Sequence, residues 1–125
     1  MFNITLIAMG KLKEKFYISA ASEYEKRMMG YCNFQLLELP EVRLPDNPSP
    51  ANITAALDKE AELILSKIPK GSWFCILTPE GKLLSSEDLA SKISNIKLSG
   101  KSSACFLIGS SFGISPRIKA LADFK

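Results

Sequence analysis

A chain of 125 residues, 46% apolar and 23% charged, fits one globular domain spanning residues 1–125 and excludes a disordered or fibrous class. Its formal charge of +3, from sixteen basic and thirteen acidic residues, permits nucleic-acid binding without demanding it. Apolar runs such as Ile4 to Met9 and Trp73 to Leu77 fall far short of the ~20 residues that span a bilayer. With no basic stretch or cleavage site at the N-terminus, no membrane partner and a cytoplasmic location are expected.

In chain order, Asn3 to Met9 is short, rich in β-branched residues and closed by Gly10, which predicts a buried strand. From Lys13 onward, Phe16, Ala20, Tyr24 and Met28 recur every fourth residue and predict a helix with that stripe in the core, ending near Gly30. Phe34 to Leu39 reads as a second strand halted by Pro40. Four of the seven prolines lie between Pro40 and Pro50, so a loop is expected there. Ile53, Leu57, Ala61, Ile64 and Ile68 then keep helical spacing up to the turn at Pro69-Lys70-Gly71, and Trp73 to Leu77 is a third, strongly apolar strand. Ser85, three residues before Asp88, reads as an N-cap for a helix whose inner face carries Leu89, Ile93 and Ile96 and which Gly100 stops. Ala104 to Ile108 is the fourth strand. A last helix is capped by Ser115, begins at Pro116 and runs through Ile118, Leu121 and Ala122 to Lys125.

Strands alternating with helices, the strands apolar throughout, predict an α/β fold with a mostly parallel sheet and helices on both faces. In such sheets ligands bind beyond the carboxyl ends of strands. The loops at Thr78 to Lys82 and Gly109 to Gly113 occupy that position.

Cys32, Cys75 and Cys105 are odd in number and widely spaced, and the chain has no histidine. Neither a disulfide framework nor a metal site is expected, and Cys75 and Cys105 read as small core hydrophobes. Gly109-Ser110-Ser111-Phe112-Gly113 spells the nucleophile elbow G-x-S-x-G, but a serine hydroxyl needs a base, and no histidine is available to Ser111. Gly81-Lys82 belongs to no phosphate loop, because Ile76 stands where the leading glycine should be and Leu83 where the hydroxyl residue should be. The glycines of the 109–113 loop remain readable as a nucleotide-binding turn or simply a tight one.

Further features carry a resemblance over the whole chain: Ile4 to Lys15, Glu23 to Arg27, Glu38-Leu39-Pro40, Lys59-Glu60, Lys67-Ile68-Pro69, Leu84 to Glu87, Leu98 to Ser102, and Phe106 to Gly113. With these the sequence resembles the ribosomal RNA large subunit methyltransferase H family of the SPOUT superfamily. The resemblance implies an α/β knot, a homodimer, and methyl transfer from S-adenosylmethionine to N3 of a pseudouridine in large-subunit ribosomal RNA. It also implies a cofactor held against main-chain groups at Leu77 and Gly109, with Gly109 leaving room for it. No residue is assigned as catalytic base. Ser110 stands where the family commonly has a second glycine, which narrows the cofactor's space, and Ala61 replaces a helical glycine, which favours the helix. Family members continue past the position of Lys125 with a cofactor-binding loop, a threaded helix and a histidine-containing tail. An incomplete knot is therefore expected within these residues. The alternative is a non-catalytic RNA-binding or ribosome-associated form of the same fold.

Overall fold

Successive residues of a strand point to opposite faces of its sheet, so four apolar strands in parallel need cover on both sides. The computed structural model describes residues 1–125 and shows how that cover is supplied. Its elements are Asn3–Met9 (β1), Lys15–Met28 (α1), Asn33–Leu39 (β2), Pro50–Lys67 (α2), Trp73–Leu77 (β3), Ser86–Leu98 (α3), Ser103–Ile108 (β4) and Pro116–Lys119 (α4). The strands form one all-parallel sheet in the order β2-β1-β4-β3.

Ile7, Leu107 and Ile76 sit side by side across β1, β4 and β3, all fully buried. With Ala61 and Ile64 of α2 and Ile118 of α4 they form the larger core layer. Phe2, Ile4 and Ala104 face the other way and meet Cys32 and Ile96, the latter from α3. Trp73 and Phe106 meet edge to face on that side, ring centres 6.0 Å apart. The α/β class and the parallel sheet covered on both faces are thus as the sequence predicts.

Helix starts follow from local chemistry. Ser49 Oγ accepts the Asn52 N–H while Asn52 Oδ1 accepts the Ser49 N–H, so each side chain satisfies one of the donors freed where α2 begins. Ser85 does the same for Asp88 at α3, and Ser115 for Arg117 at α4.

Two expectations need correction. The Phe16, Ala20, Tyr24, Met28 stripe is not core: α1 has no buried residue, Phe16 and Tyr24 are each 64% exposed, and only Met28 packs against the α3-side layer. Periodicity reports that a helix has an apolar face, and it is silent on where the partner surface lies. The last helix is also shorter than its spacing implies, ending at Lys119 and leaving Leu121 exposed. Residues 123–125 instead run beside β3. Asp123 donates its N–H to the Phe74 carbonyl at 2.8 Å, Asp123 Oδ2 accepts the Phe74 N–H at 2.8 Å, and Ile76 donates to the Phe124 carbonyl at 3.0 Å. An edge strand offers unpaired donors and acceptors, and pairing them outweighs one more helical turn. Phe124 is held there between the stacked Trp73 ring and Lys92 Nζ, which lies 4.0 Å from its centre.

No helix is long and apolar enough to cross a membrane. All three cysteines are free and buried. Burial pushes the thiols of Cys32 and Cys75 up, against the opposing pull of Lys97 and Lys92 respectively, and lifts Cys105 to about 12. Because the thiolate is the reactive form, we expect an aromatic disulfide reagent to titrate three thiols in denaturant and to react with them far more slowly in the native protein at pH 8. Fewer than three groups in denaturant, in a freshly reduced sample, would show that one cysteine is engaged elsewhere.

Candidate functional site

Parallel strands deliver their carboxyl ends to one edge, and here Met9, Leu39, Leu77 and Ile108 emerge together. The loops that follow are tied to one another by three glutamates. Glu38 Oε2 accepts the Leu12 N–H at 3.1 Å, Glu41 Oε1 accepts the Ser111 N–H at 3.3 Å, and Glu60 Oε2 accepts the Val42 N–H at 2.9 Å. Each carboxylate thereby satisfies a backbone donor that no strand or helix uses, joining the β1, β2 and β4 loops and α2 into one rim.

Leu77 pairs with Ile108, so Leu77 and Gly109 stand at the ends of neighbouring strands. Both line one cleft of about 230 Å³, with Thr78, Ser110 and Lys119 around it. Leu77 is 51% exposed there, an apolar side chain turned to solvent at the mouth of the cleft. Thr78 Oγ1 is buried beside the Glu80 carboxyl, which its hydroxyl helps to hold in the charged form. It adjoins both this cleft and a larger one of about 570 Å³ toward α3. Across the smaller cleft, Lys119 Nζ donates to Glu80 Oε1 and holds that carboxyl below its ordinary range.

The loop around Gly109 by itself excludes a side chain at this position. A Cβ there would lie 2.4 Å from Ile114 Cγ1 and 2.7 Å from the Gly113 carbonyl oxygen, so the space beside it is filled by its own loop. The loop closes tightly, with the Gly113 N–H donating to the Ser110 carbonyl at 2.9 Å and Gly113 at φ +98°. What Gly109 offers a ligand is main chain. Gly81 is similar: a Cβ there would lie 2.8 Å from the carbonyl carbon of Lys125, where residues 123–125 pass the β3 loop.

The nucleophile-elbow reading fails in the structure as well, since no base is bonded to the Ser111 hydroxyl and the next helix starts only at Pro116. What sequence reasoning missed is Glu60. It is 4% exposed on α2, one turn after buried Ala56, and lines a cavity of about 300 Å³ between α2 and the β2 and β4 loops. The available signal was a charged residue on the face that also carries Ala56, Ile53 and Ile64.

A family model described as "Predicted SPOUT methyltransferase" matches residues 2–125. The chain belongs to the SPOUT methyltransferase family. Within this family it is similar to proteins named ribosomal RNA large subunit methyltransferase H. It is 38% identical to that of Clostridioides difficile strain 630, and 40% identical to those of Clostridium kluyveri and Alkaliphilus oremlandii. Each alignment covers 98% of this chain and 77% of the relative. The SPOUT assignment agrees with the parallel sheet and with the sequence resemblance. Ala61 is fully buried in the larger core layer, so its methyl group adds to the core.

Proposed function

We propose that this protein transfers a methyl group from S-adenosylmethionine to N3 of a pseudouridine in large-subunit ribosomal RNA, working in the cytoplasm as a homodimer. Family membership and the names of the relatives support the methyltransferase and ribosomal RNA parts of this reading. The observation that carries the cofactor is the cleft at the ends of β3 and β4, walled by Leu77 and Gly109. These residues fit the group: exposed Leu77 offers an apolar surface, and Gly109 offers main chain without a side chain.

When bound, the cofactor supplies a methyl group activated on a sulfonium. The protein's own task is to hold the target nitrogen in line with that methyl and to keep competing water away. The sulfonium would be the leaving group for that methyl, and the N3 proton would be released to bulk solvent, no side chain being placed as its acceptor. Ser110 and Ser111 line both the Leu77–Gly109 cleft and the Glu60 cavity, so a base entering from the α2 side approaches across one shared wall.

Incubation with labelled S-adenosylmethionine and large-subunit ribosomal RNA, followed by nucleoside mass spectrometry, tests the reaction. The expected product is N3-methylpseudouridine. Label on another nucleoside would overturn the assigned target, and absence of transfer would remove catalysis by this chain.

A further inference from the structure

The cavity between α2 and the β2 and β4 loops has a chemical character that methyl-donor binding does not explain. Its floor is apolar, from Ile53, Ala56 and Leu57; of the two carboxylates that line it, Glu41 is exposed and bonded to the Ser111 N–H, while Glu60 is buried. A carboxylate that is 4% exposed demands hydrogen-bond donors, because burying its charge unpaired is costly. Only one is provided: Oε2 accepts the Val42 N–H, while Oε1 has no protein donor and no ion pair reaches Glu60. A ligand that fills this cavity must therefore bring an N–H or O–H to Oε1.

Two further wall residues narrow the class. Phe112 is a 49% exposed aromatic ring at the cavity, a stacking platform for a flat heterocycle. Arg43, also in the wall, is exposed and has no acidic partner, which leaves its guanidinium for a phosphate. An apolar slot, an aromatic face, a free guanidinium at the wall and one buried acceptor together describe an unstacked nucleotide with an N–H on its edge.

We infer that the Glu60 cavity receives the target base and that Glu60 Oε1 selects pseudouridine over uridine by accepting its N1–H. This rests on the pseudouridine reading above. In pseudouridine the sugar is attached through C5, so N1 keeps a hydrogen; a uridine in the same pose places C5–H at that point. The two bases match in shape and in the groups around N3, and differ at this edge by one donor. A buried acceptor set against that edge discriminates strongly, because uridine would leave it unpaired. N3 lies on the neighbouring side of the ring, and the Ser110–Ser111 wall is common to this cavity and the Leu77–Gly109 cleft.

Glu60→Gln isolates the effect. The Val42 N–H requires an acceptor, so the amide carbonyl takes the Oε2 position and the NH₂ turns into the cavity, where it opposes N1–H instead of accepting it. The β2 loop keeps its tie, and circular dichroism should show the fold intact. The probes are two fluorescently labelled single-stranded oligoribonucleotides, identical except for pseudouridine or uridine at one position. We expect the full chain to bind the pseudouridine strand about 10–100-fold more tightly, and Glu60→Gln to bring that ratio to about one by weakening the pseudouridine strand alone. Equal binding of both strands by the wild type, binding of neither, or a preference that survives Glu60→Gln would each overturn the assignment. Methyl transfer to pseudouridine accompanied by an unchanged preference in Glu60→Gln would remove Glu60 while leaving the proposed reaction standing. A preference lost in Glu60→Gln without any methyl transfer would do the reverse.

Discussion

A Gly109→Val chain is expected to melt roughly 5–15 °C below the wild type and to lose the closed form of the loop between β4 and α4. The ground is steric. The added Cβ would fall 2.4 Å from Ile114 Cγ1 and 2.7 Å from the Gly113 carbonyl, and neither neighbour gives way easily. Ile114 is buried in the larger core layer, and Gly113 is pinned by its hydrogen bond to Ser110. Either β4 shifts or the loop opens, and both displace Ser110 and Ser111, which line the Leu77–Gly109 cleft and the Glu60 cavity. Overpacking of this kind costs about 1–3 kcal/mol in well-packed interiors. Gly109→Ala meets the same atoms with its one carbon and should show most of the loss. Thermal unfolding followed by circular dichroism measures it; equal melting temperatures for all three chains would mean that the loop yields without cost. The sequence view of Gly109 as room for a ligand leads to a different result, a folded variant that simply fails to bind.

The framework was legible because it rests on local chemistry. Short apolar runs bounded by turn residues placed the strands to within a residue, and Ser85, Ser115 and Pro116 sit where their capping roles place them. Positions decided by long-range contacts were not legible. Nothing near Glu60 in the chain reveals that it accepts the Val42 N–H eighteen residues earlier. Likewise, the apolar spacing of Ile118, Leu121 and Ala122 is indistinguishable from a continuing helix until the open edge of β3 competes for the residues that follow. For the site, Leu77 and Gly109 were legible only as strand ends beside glycine-rich turns, together with the family resemblance. The buried Thr78 hydroxyl and the carboxylate ties depend on how separate loops meet.

The second large effect concerns the open side of that edge. Residues 123–125 already lie along β3, with Phe124 paired to Cys75 and the Lys82 N–H donating to the Lys125 carbonyl at 3.0 Å. Chain added after Lys125 therefore enters beside the β3 loop and the cleft toward α3, near Leu77 and Thr78. Leu77 at 51% exposure, Ile108 at 42% and the bare face of α1 are apolar surface without cover in these residues. Burying such surface stabilises by about 25 cal/mol per Å². A few hundred Å² covered by added chain or by bound cofactor then corresponds to several kcal/mol. A version extended by the C-terminal segment that the family resemblance implies is thus expected to bind S-adenosylmethionine at least about 100-fold more tightly than the 125-residue chain, a change of about 2.7 kcal/mol. It should also expose less apolar surface to a reporter dye. Parallel calorimetric titrations of the two chains decide the matter. Equal affinities would show that the cleft between Leu77 and Gly109 holds the cofactor with the walls that residues 1–125 supply and that the added segment serves another purpose.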